Sequence, residues 1–253
     1  MMPWGVAGAR RGAGTAALVA RGAYEALRRT RPGGRAVWER KNHAGRTVDL
    51  CSGPAAALGT AAGIGTAPGL PARHRAAGSL AVLVAAACGA YDDVAGAGDP
   101  RRGFRAHLGA LRRGEVTSGT VKLAGIGAAG LAAGMVLEER PLDRALAAVV
   151  IAGSAHLVNL LDVRPGRAAA AVIALGAGGL LRGGAARGVC AAPVAAAAVL
   201  AADDLGERTM LGDTGAHALG AGLGRVRWVS TGPTTPGTAP RCVVARPEYA
   251  QYA

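Results

Sequence analysis

Eight apolar stretches, built mainly from Ala, Gly, Val and Leu, occupy most of this 253-residue sequence. They cover residues 5–22, 50–71, 76–91, 120–137, 145–161, 168–181, 188–202 and 214–224. The sequence is 51% hydrophobic but only 3% aromatic, with 41 Gly, whereas soluble cores depend on larger side chains. Small residues let helices pack closely in lipid. The pattern predicts an all-α fold, a polytopic transmembrane bundle of about seven or eight helices.

The two ends of the sequence depart from this pattern. Arg10 and Arg11 interrupt the first stretch, so it predicts a marginal span, with a signal peptide as the alternative for residues 1–22. The last part of the chain is rich in Pro, Thr and Arg, a composition typical of disordered tails. We therefore expect a membrane domain over residues 1–224 and a disordered tail over residues 225–253.

Basic residues are divided unequally between the segments that connect the apolar stretches. One set of segments carries 15 Lys and Arg, and the alternating set carries 6. The first set comprises residues 23–49, 92–119, 162–167 and 203–213, and the second comprises 72–75, 138–144 and 182–187. Because basic loops remain on the cytoplasmic side, the first set is predicted to lie in the cytoplasm, with the chain in the plasma membrane.

The formal net charge of +13 raises the question of which acidic partner the chain binds. Nucleic acid is one class of partner for a basic protein. However, no aromatic side chains interleave with the Arg residues to form a stacking platform. Basic loops beside membrane helices suit anionic lipid or a phosphorylated substrate, so we expect these partners and no nucleic acid.

Three polar clusters fall in the more basic set of segments. They are Asp92 with Asp93, Asn159 with Asp162, and Asp213. An even number of predicted crossings separates the clusters, so all three are expected at the same membrane face. Adjacent carboxylates at a helix C-terminus need a cation, and Mg²⁺ binds carboxylates together with phosphate oxygens. The pattern favours a magnesium-dependent phosphoryl-transfer site, although solvated helix ends or helix–helix hydrogen bonds explain each cluster taken alone.

Three shorter features have competing explanations. Residues 125–130 match the dinucleotide fingerprint GxGxxG, but the context lacks a preceding strand, so helix packing is favoured. The Asp-Thr-Gly at 213–215 also occurs in aspartic proteases, which need two such loops on a β scaffold, and the sequence lacks strand-like alternation. Lys122 begins an apolar stretch, where it either extends to the membrane interface or holds a phosphate.

Five segments together resemble the polyprenyl-phosphate N-acetylhexosamine-1-phosphate transferase family, the membrane glycosyltransferases (family 4) related to phospho-N-acetylmuramoyl-pentapeptide transferase. They read WERKNHAGRTVDLCSGP at 38–54, GAYDDVAG at 89–96, TSGTVKL at 117–123, NLLDVRPGRA at 159–168 and MLGDTGAHALGA at 210–221. Their order and spacing make the resemblance specific, and it extends from about residue 35 to residue 224. The Ala- and Arg-rich composition is similar to that of actinobacterial members.

The resemblance implies an enzyme, a phosphoglycosyl transferase. A polyprenyl phosphate would attack the β-phosphate of a UDP-sugar, which would yield a polyprenyl-diphosphate sugar and UMP for cell-wall or envelope glycan synthesis. Asp213 is expected to be the principal Mg²⁺ ligand, with Asn159 in or next to its shell and Mn²⁺ as an alternative metal. Asp92 and Asp93 are expected to activate the lipid phosphate or to assist the metal.

The remaining matching residues are expected to bind the substrates. Lys122 would hold the diphosphate, and Asp162 would line the nucleotide site. The basic stretch before the second long helix would lie near the lipid phosphate or the diphosphate, and it comprises Arg40, Lys41, Asn42 and His43. Phosphoryl transfer depends chiefly on positioning and on charge neutralisation, which these residue types supply.

The sequence also departs from the family pattern. In the family motif N-x-x-D-G-x-D-G, Val163 stands for the first Gly and Pro165 for the second Asp. Where the family continues with further helices and a His-containing loop, this chain has the segment from Arg225, so a C-terminal truncation or frame disruption is expected. These departures favour a second hypothesis, a catalytically inactive member that binds the lipid carrier or an envelope complex.

Two more distant hypotheses stay open, a generic small-residue helical membrane protein and a basic nucleic-acid binder. A homodimer is one candidate assembly.

Overall fold

The computed structural model describes residues 4–68, 70–96, 104–182 and 184–231. Within them the chain forms ten helices and one two-stranded hairpin. The helices are α1 (Trp4–Thr30), α2 (Arg35–Trp38), α3 (Ser52–Gly65), α4 (Ala72–Ala95), α5 (Phe104–Arg112), α6 (Ser118–Leu137), α7 (Pro141–Leu161), α8 (Arg167–Arg182), α9 (Gly184–Leu205) and α10 (Gly212–Thr231). Each predicted apolar stretch corresponds to one of the eight longest helices, which confirms the prediction of an all-α bundle.

Four of the described helices are long and apolar enough to cross a membrane, namely α4, α6, α7 and the part of α9 from Ala186. Aliphatic side chains on three of them face outward, since Leu80, Leu131, Val149 and Leu160 are 46% to 72% exposed. The interior is built mainly from Ala. Large apolar side chains outside and small ones inside are the arrangement expected of helices packed in lipid, so the fold is that of a membrane protein.

α1 differs from the predicted first span in its apolar character and its length. α1 contains the 5–22 stretch, but it is not among the four helices that are long and apolar enough to cross a membrane. It continues to Thr30 because its second half remains amphipathic, with Tyr24 buried and Leu27 packed against the core. α3 and α8 have 14 and 16 residues, which is shorter than the roughly 20 residues that a span usually needs.

α10 lies at the centre of the bundle. It packs against α3, α4, α7, α8 and α9, and every residue over 214–224 is buried. α1 packs against α3 and α9, while α6 packs against α4 and α7. The first residues of α10 are therefore held by neighbours on several sides, which makes them a rigid place for a site.

The GxGxxG motif serves helix packing, as its sequence context indicates. It lies within α6 rather than between a strand and a helix. A Cβ built on Gly130 would lie 2.9 Å from the carbonyl oxygen of Ala148 in α7, so α6 and α7 approach each other closely at this glycine. Close backbone approach of this kind is the usual role of small residues in membrane helices.

A short hairpin is the main element that the sequence does not predict. β1 (Glu39–Lys41) pairs antiparallel with β2 (Thr47–Asp49), with Arg40 opposite Val48. Strands of three residues are too short to show a recognisable alternation of polar and apolar residues. An isolated bridge between Asp49 and Thr209 joins the hairpin to the segment before α10, so long-range contacts hold it in place.

The predicted boundary at residue 224 falls inside α10, which continues to Thr231. The remainder of the predicted tail, residues 232–253, lies outside the described residues.

Candidate functional site

Four helix ends meet at one end of the bundle, and each contributes a polar side chain. Asp92 lies in the last turn of α4, Lys122 in the second turn of α6, Asn159 in the last turn of α7 and Asp213 in the first turn of α10. α4 and α7 end where α6 and α10 begin, so the residues that the sequence places at the ends of separate apolar stretches become neighbours.

The Lys122 ammonium joins two of these carboxylates. Its Nζ donates a hydrogen bond to Oδ2 of Asp92 at 2.6 Å and another to Oδ2 of Asp213. The side chains of Lys122, Asp92 and Asp213 are 15%, 19% and 24% exposed. Two carboxylates and one ammonium leave this largely buried cluster with a net negative charge, which favours an additional or exchanged cation.

Asn159 completes the cluster from α7. Its Nδ2 donates to Oδ1 of Asp213 at 2.6 Å, so both oxygens of Asp213 have a partner. Asp162, three residues later, does not join this group and lies beside a separate cavity. Hydrogen bonds therefore join Asp92, Lys122, Asn159 and Asp213, while Asp162 lines the neighbouring cavity, close enough for the charge of Asp213 to act on it.

Asp93 has different neighbours from Asp92, although the two are adjacent in sequence. Its Oδ1 accepts the N–H of Asp213 at 3.0 Å, and its Oδ2 accepts the N–H of Thr214 at 3.0 Å and the Thr214 hydroxyl at 2.6 Å. The first N–H groups of a helix have no partner within the helix, and the dipole favours a carboxylate there. Asp93 thus caps α10 and positions Asp213, a role distinct from the activating role that the resemblance implies.

α4 and α10 approach each other closely beside this cap. A Cβ built on Gly89 would lie 2.4 Å from the carbonyl oxygen of Asp213. Gly89 and Asp93 are spaced i, i+4 and so share one face of α4. The GAYDDVAG segment therefore presents a contact glycine and a capping carboxylate to α10, while Asp92 turns towards α6.

Two histidines, to which the sequence-based assignment gives no role, lie behind Asp213. Nδ1 of the fully buried His217 is 2.6 Å from the carbonyl oxygen of Asp213, and its Nε2 is 3.3 Å from Nδ1 of His156. A carbonyl only accepts hydrogen bonds, so His217 donates from Nδ1, and in the neutral imidazole its Nε2 accepts from Nδ1 of His156. Both histidines could have been predicted from sequence. His217 follows Asp213 by four residues and His156 precedes Asn159 by three, so each shares a helix face with a polar residue of the cluster.

The basic stretch at residues 40–43 forms one side of the hairpin and lies at the same end of the bundle. Arg40 reaches the site, because its Nη2 donates to the main-chain oxygen of Asp93 at 2.8 Å. Lys41 points elsewhere, with Nζ donating to Oγ1 of Thr47 at 2.7 Å across the hairpin. Of the two cations, Arg40 is therefore the one next to the carboxylate cluster.

Asn42 and His43 occupy the hairpin turn. Oδ1 of Asn42 accepts the N–H groups of Ala44 and Arg46, each at 3.0 Å, and closes the turn in the way typical of Asn. Its Nδ2 donates to Oε2 of Glu207 at 2.6 Å, which ties the hairpin to the segment before α10. His43 is exposed and faces the cavity next to the hairpin.

A cavity of about 110 Å³ lies between the hairpin, the α7–α8 connection and the α9–α10 connection. Its charged and imidazole lining consists of Lys41, His43, Asp162, Arg164, Asp204 and Glu207. Small-molecule sites typically measure roughly 300–1,000 Å³, so this cavity holds only part of a nucleotide-sized ligand. Both positions that depart from the family pattern, Val163 and Pro165, also line it.

Asp162 ends α7 at the edge of this cavity. Burial, together with the negative charges of Asp204, Asp213 and Asp93, raises the pKa of Asp162 to about 8. At neutral pH the carboxyl group is therefore largely protonated, and it can donate a hydrogen bond as well as accept one.

The loop after α7 is fixed from α9. Oδ2 of Asp204 accepts the N–H of Gly166 at 2.8 Å. Gly166 has a φ of 76°, a left-handed conformation that favours glycine. The end of α9 thus contacts the loop that carries Val163 and Pro165.

The oxygen donors expected for Mg²⁺ are present in part. Across the part of the chain that the structure describes, no three His, Cys, Asp or Glu side chains surround a common metal position. Asp92 and Asp213 nevertheless each direct one oxygen at the same cation, the Lys122 ammonium, and Asn159 adds an amide. Two carboxylates and substrate phosphates are hard donors suited to Mg²⁺ or Mn²⁺, while Asn159 turns its Nδ2 to Asp213. The residues fit the metal, at the position where Lys122 now lies.

No protein-family model and no curated protein matches this chain. Its class is given by the fold, a helical membrane protein with a polar cluster of two carboxylates, a lysine and an asparagine at one end. The transferase family is a resemblance carried by the sequence motifs alone.

Proposed function

We propose that the protein is a membrane phosphoglycosyl transferase that acts at the cytoplasmic face of the plasma membrane. It transfers a sugar-1-phosphate, of the N-acetylhexosamine-1-phosphate kind, from a UDP-sugar to polyprenyl phosphate and releases UMP for cell-wall or envelope glycan synthesis. One observation carries the proposal: Lys122 bridges Asp92 and Asp213 beside Asn159. This cluster combines acidic metal ligands with a cation for phosphate, the two requirements of phosphoryl transfer.

The contacts of each side chain support a division of roles. Asp213 and Asp92 would hold Mg²⁺, which would supply charge neutralisation to the phosphate oxygens. Asn159 orients the Asp213 carboxylate through its hydrogen bond to Oδ1. Lys122 and Arg40 supply positive charge to the phosphates of the two substrates, because their nitrogens lie beside the carboxylate cluster.

The surroundings of the cluster suit a lipid substrate. Val94 and Leu160, which are 58% and 72% exposed, lie within two residues of Asp92 and one residue of Asn159. An aliphatic surface therefore begins next to the polar cluster, so a polyprenyl chain can remain in lipid while its phosphate reaches Lys122. The excess of basic residues in the connecting segments at this end supports a cytoplasmic orientation.

The test is UMP release by the full chain in proteoliposomes that contain polyprenyl phosphate, Mg²⁺ and a UDP-N-acetylhexosamine. Asp213→Ala should lower the rate at least about a hundredfold, the effect typical of removing one preorganised electrostatic contact. Asp143→Ala is the matched control, because Asp143 lies in the first turn of α7, at the opposite end from Asn159. Unchanged turnover in Asp213→Ala would rule out the metal assignment.

A second candidate function is a catalytically inactive protein that binds the lipid carrier or a partner in an envelope complex. Val163 and Pro165 favour it, since they replace a flexible and an acidic position of the family motif at the cavity. This function predicts that the protein in the proteoliposomes binds polyprenyl phosphate but releases UMP from none of a panel of UDP-sugars.

A further inference from the structure

Lys122 lies where the proposed metal would bind. Its Nζ donates hydrogen bonds to Oδ2 of Asp92 and Oδ2 of Asp213, the two oxygens that converge on one point. Asp93 offers no substitute, because its carboxylate oxygens already accept three hydrogen bonds from the start of α10. A metal ion at that point and the Lys122 ammonium therefore compete for the same oxygens.

The choice of lysine at this position is unusual for this chain. Of its 29 Lys and Arg residues only Lys41 and Lys122 are lysine, and the other 27 are arginine. A guanidinium would form a rigid bidentate pair with a carboxylate, whereas an ammonium on a flexible four-carbon stem contacts it through a single atom. An ammonium is thus the easier of the two to displace from a carboxylate pair.

We propose that Lys122 is a displaceable internal cation that occupies the oxygens of Asp92 and Asp213 until Mg²⁺ takes them, and then turns its ammonium to the substrate phosphates. This proposal rests on the proposed function, because the metal and the phosphates belong to it. Without metal, Lys122 prevents two buried carboxylates from facing each other unpaired. A divalent ion interacts with the pair about twice as strongly at equal distance, so it can displace the ammonium.

Release of Lys122 by the metal also makes metal binding and phosphate binding depend on each other. The phosphate-binding cation becomes available only when the metal is in place, and phosphate, by holding the ammonium away, favours the metal in return. Such coupling is reciprocal by thermodynamic necessity. In the absence of phosphate, Lys122 acts purely as a competitor, and its removal should strengthen metal binding.

The first test measures Mn²⁺ binding by electron paramagnetic resonance on the purified full chain in detergent, without nucleotide or lipid phosphate. Lys122→Gln should lower the Kd for Mn²⁺ by about tenfold or more, the equivalent of about 1.4 kcal/mol. Lys122→Arg should raise it, because a bidentate guanidinium is harder to displace. Lys41→Gln is the matched control and should leave the Kd unchanged, since Lys41 contacts Thr47 instead of the cluster.

The second test observes Lys122 directly. Protein labelled with ¹³C at the lysine ε-carbon should give two side-chain resonances, assigned by the two Gln variants. Saturating Mg²⁺ should shift the Lys122 resonance and leave that of Lys41 in place. An unshifted Lys122 resonance overturns the proposal, as does a Lys122→Gln protein that binds Mn²⁺ no more tightly than wild type or fails to bind it.

These outcomes separate this inference from the proposed function. Tighter Mn²⁺ binding by Lys122→Gln, together with an absence of UMP release by wild type, supports the exchange of cations and contradicts the transferase. UMP release by wild type without tighter binding in the variant contradicts the exchange alone.

Discussion

Replacement of Asp93 by Ala tests whether this residue caps α10 or acts on the substrate. In the wild-type protein, the Asp93 carboxylate accepts the N–H groups of Asp213 and Thr214 and the Thr214 hydroxyl. Thr214 is only 5% exposed, so water cannot readily replace the lost acceptor. Asp93→Asn keeps the shape of the side chain and one of its two carboxyl oxygens, and it should show a smaller effect.

The size of the effect follows from these contacts. Leaving the buried Thr214 N–H unpaired costs about 2 kcal/mol, and loss of the hydrogen bond from the Asp213 N–H adds about 1 kcal/mol. Asp93→Ala should therefore destabilise the fold by about 3 kcal/mol, and Asp93→Asn by about half as much. For a chain of this length, 1 kcal/mol corresponds to about 2–4 °C in melting temperature, so the expected losses are about 6–12 °C and 3–6 °C.

Thermal unfolding of each variant in one detergent, followed by circular dichroism at the helix signal, measures these losses. Asp92→Asn is the comparison, because Lys122 keeps its contact with Asp213 when Asp92 is neutralised. It should melt close to wild type while losing UMP release, whereas Asp93→Ala should lose both stability and activity. An Asp93→Ala protein that melts within about 2 °C of wild type would refute the capping role.

Three further predictions concern packing, pH and metal. Gly89→Ala should destabilise the fold by about 1–3 kcal/mol through overpacking, since its Cβ would lie 2.4 Å from the Asp213 carbonyl, whereas Gly127→Ala, with open space around it, should not. The pKa of Asp162 is raised to about 8 in the fold, whereas that of an unfolded Asp is about 4. The contribution of the protonated carboxyl group to stability is therefore fully present below about pH 4 and is lost as the pH rises to about 8. The melting temperature of Asp162→Asn relative to wild type should rise across that window and level off above it. Chelation by EDTA should abolish UMP release, and Mg²⁺ or Mn²⁺ should restore it.

The positions of the long helices could be predicted from sequence because each apolar stretch contains a continuous helical surface. α6 illustrates this, since its predicted range of 120–137 differs from the observed Ser118–Leu137 only at the first turn. That turn depends on a local cap, the Thr117 side chain, which accepts the N–H of Thr120. The ends of α4 and α7 lie beside the start of α10, as expected for polar clusters at one end of the bundle.

The division of labour between Asp92 and Asp93 could not be predicted in the same way. Successive residues of a helix point about 100° apart, so one of the pair faces α6 and the other faces α10. Which neighbour lies on which side is a property of the packed bundle and leaves no local pattern in the sequence. The hairpin could not be predicted for the same reason. Its turn depends on a contact between Asn42 and Glu207, which are 165 residues apart.

The departures from the family motif fall on the cavity and leave the carboxylate cluster intact. Asp204 accepts the N–H of Gly166 in the same loop, so this contact is present alongside Val163 and Pro165. What changes is the lining: Val163 adds an aliphatic side chain that is 54% exposed, and Pro165 stands where the motif has a carboxylate and presents no backbone N–H. A cavity with one carboxylate fewer repels an anionic ligand less and gives fewer hydrogen bonds to a base or a sugar. If the protein is the proposed transferase, the choice of donor should therefore differ from the family pattern, while dependence on Asp213 and Lys122 should remain.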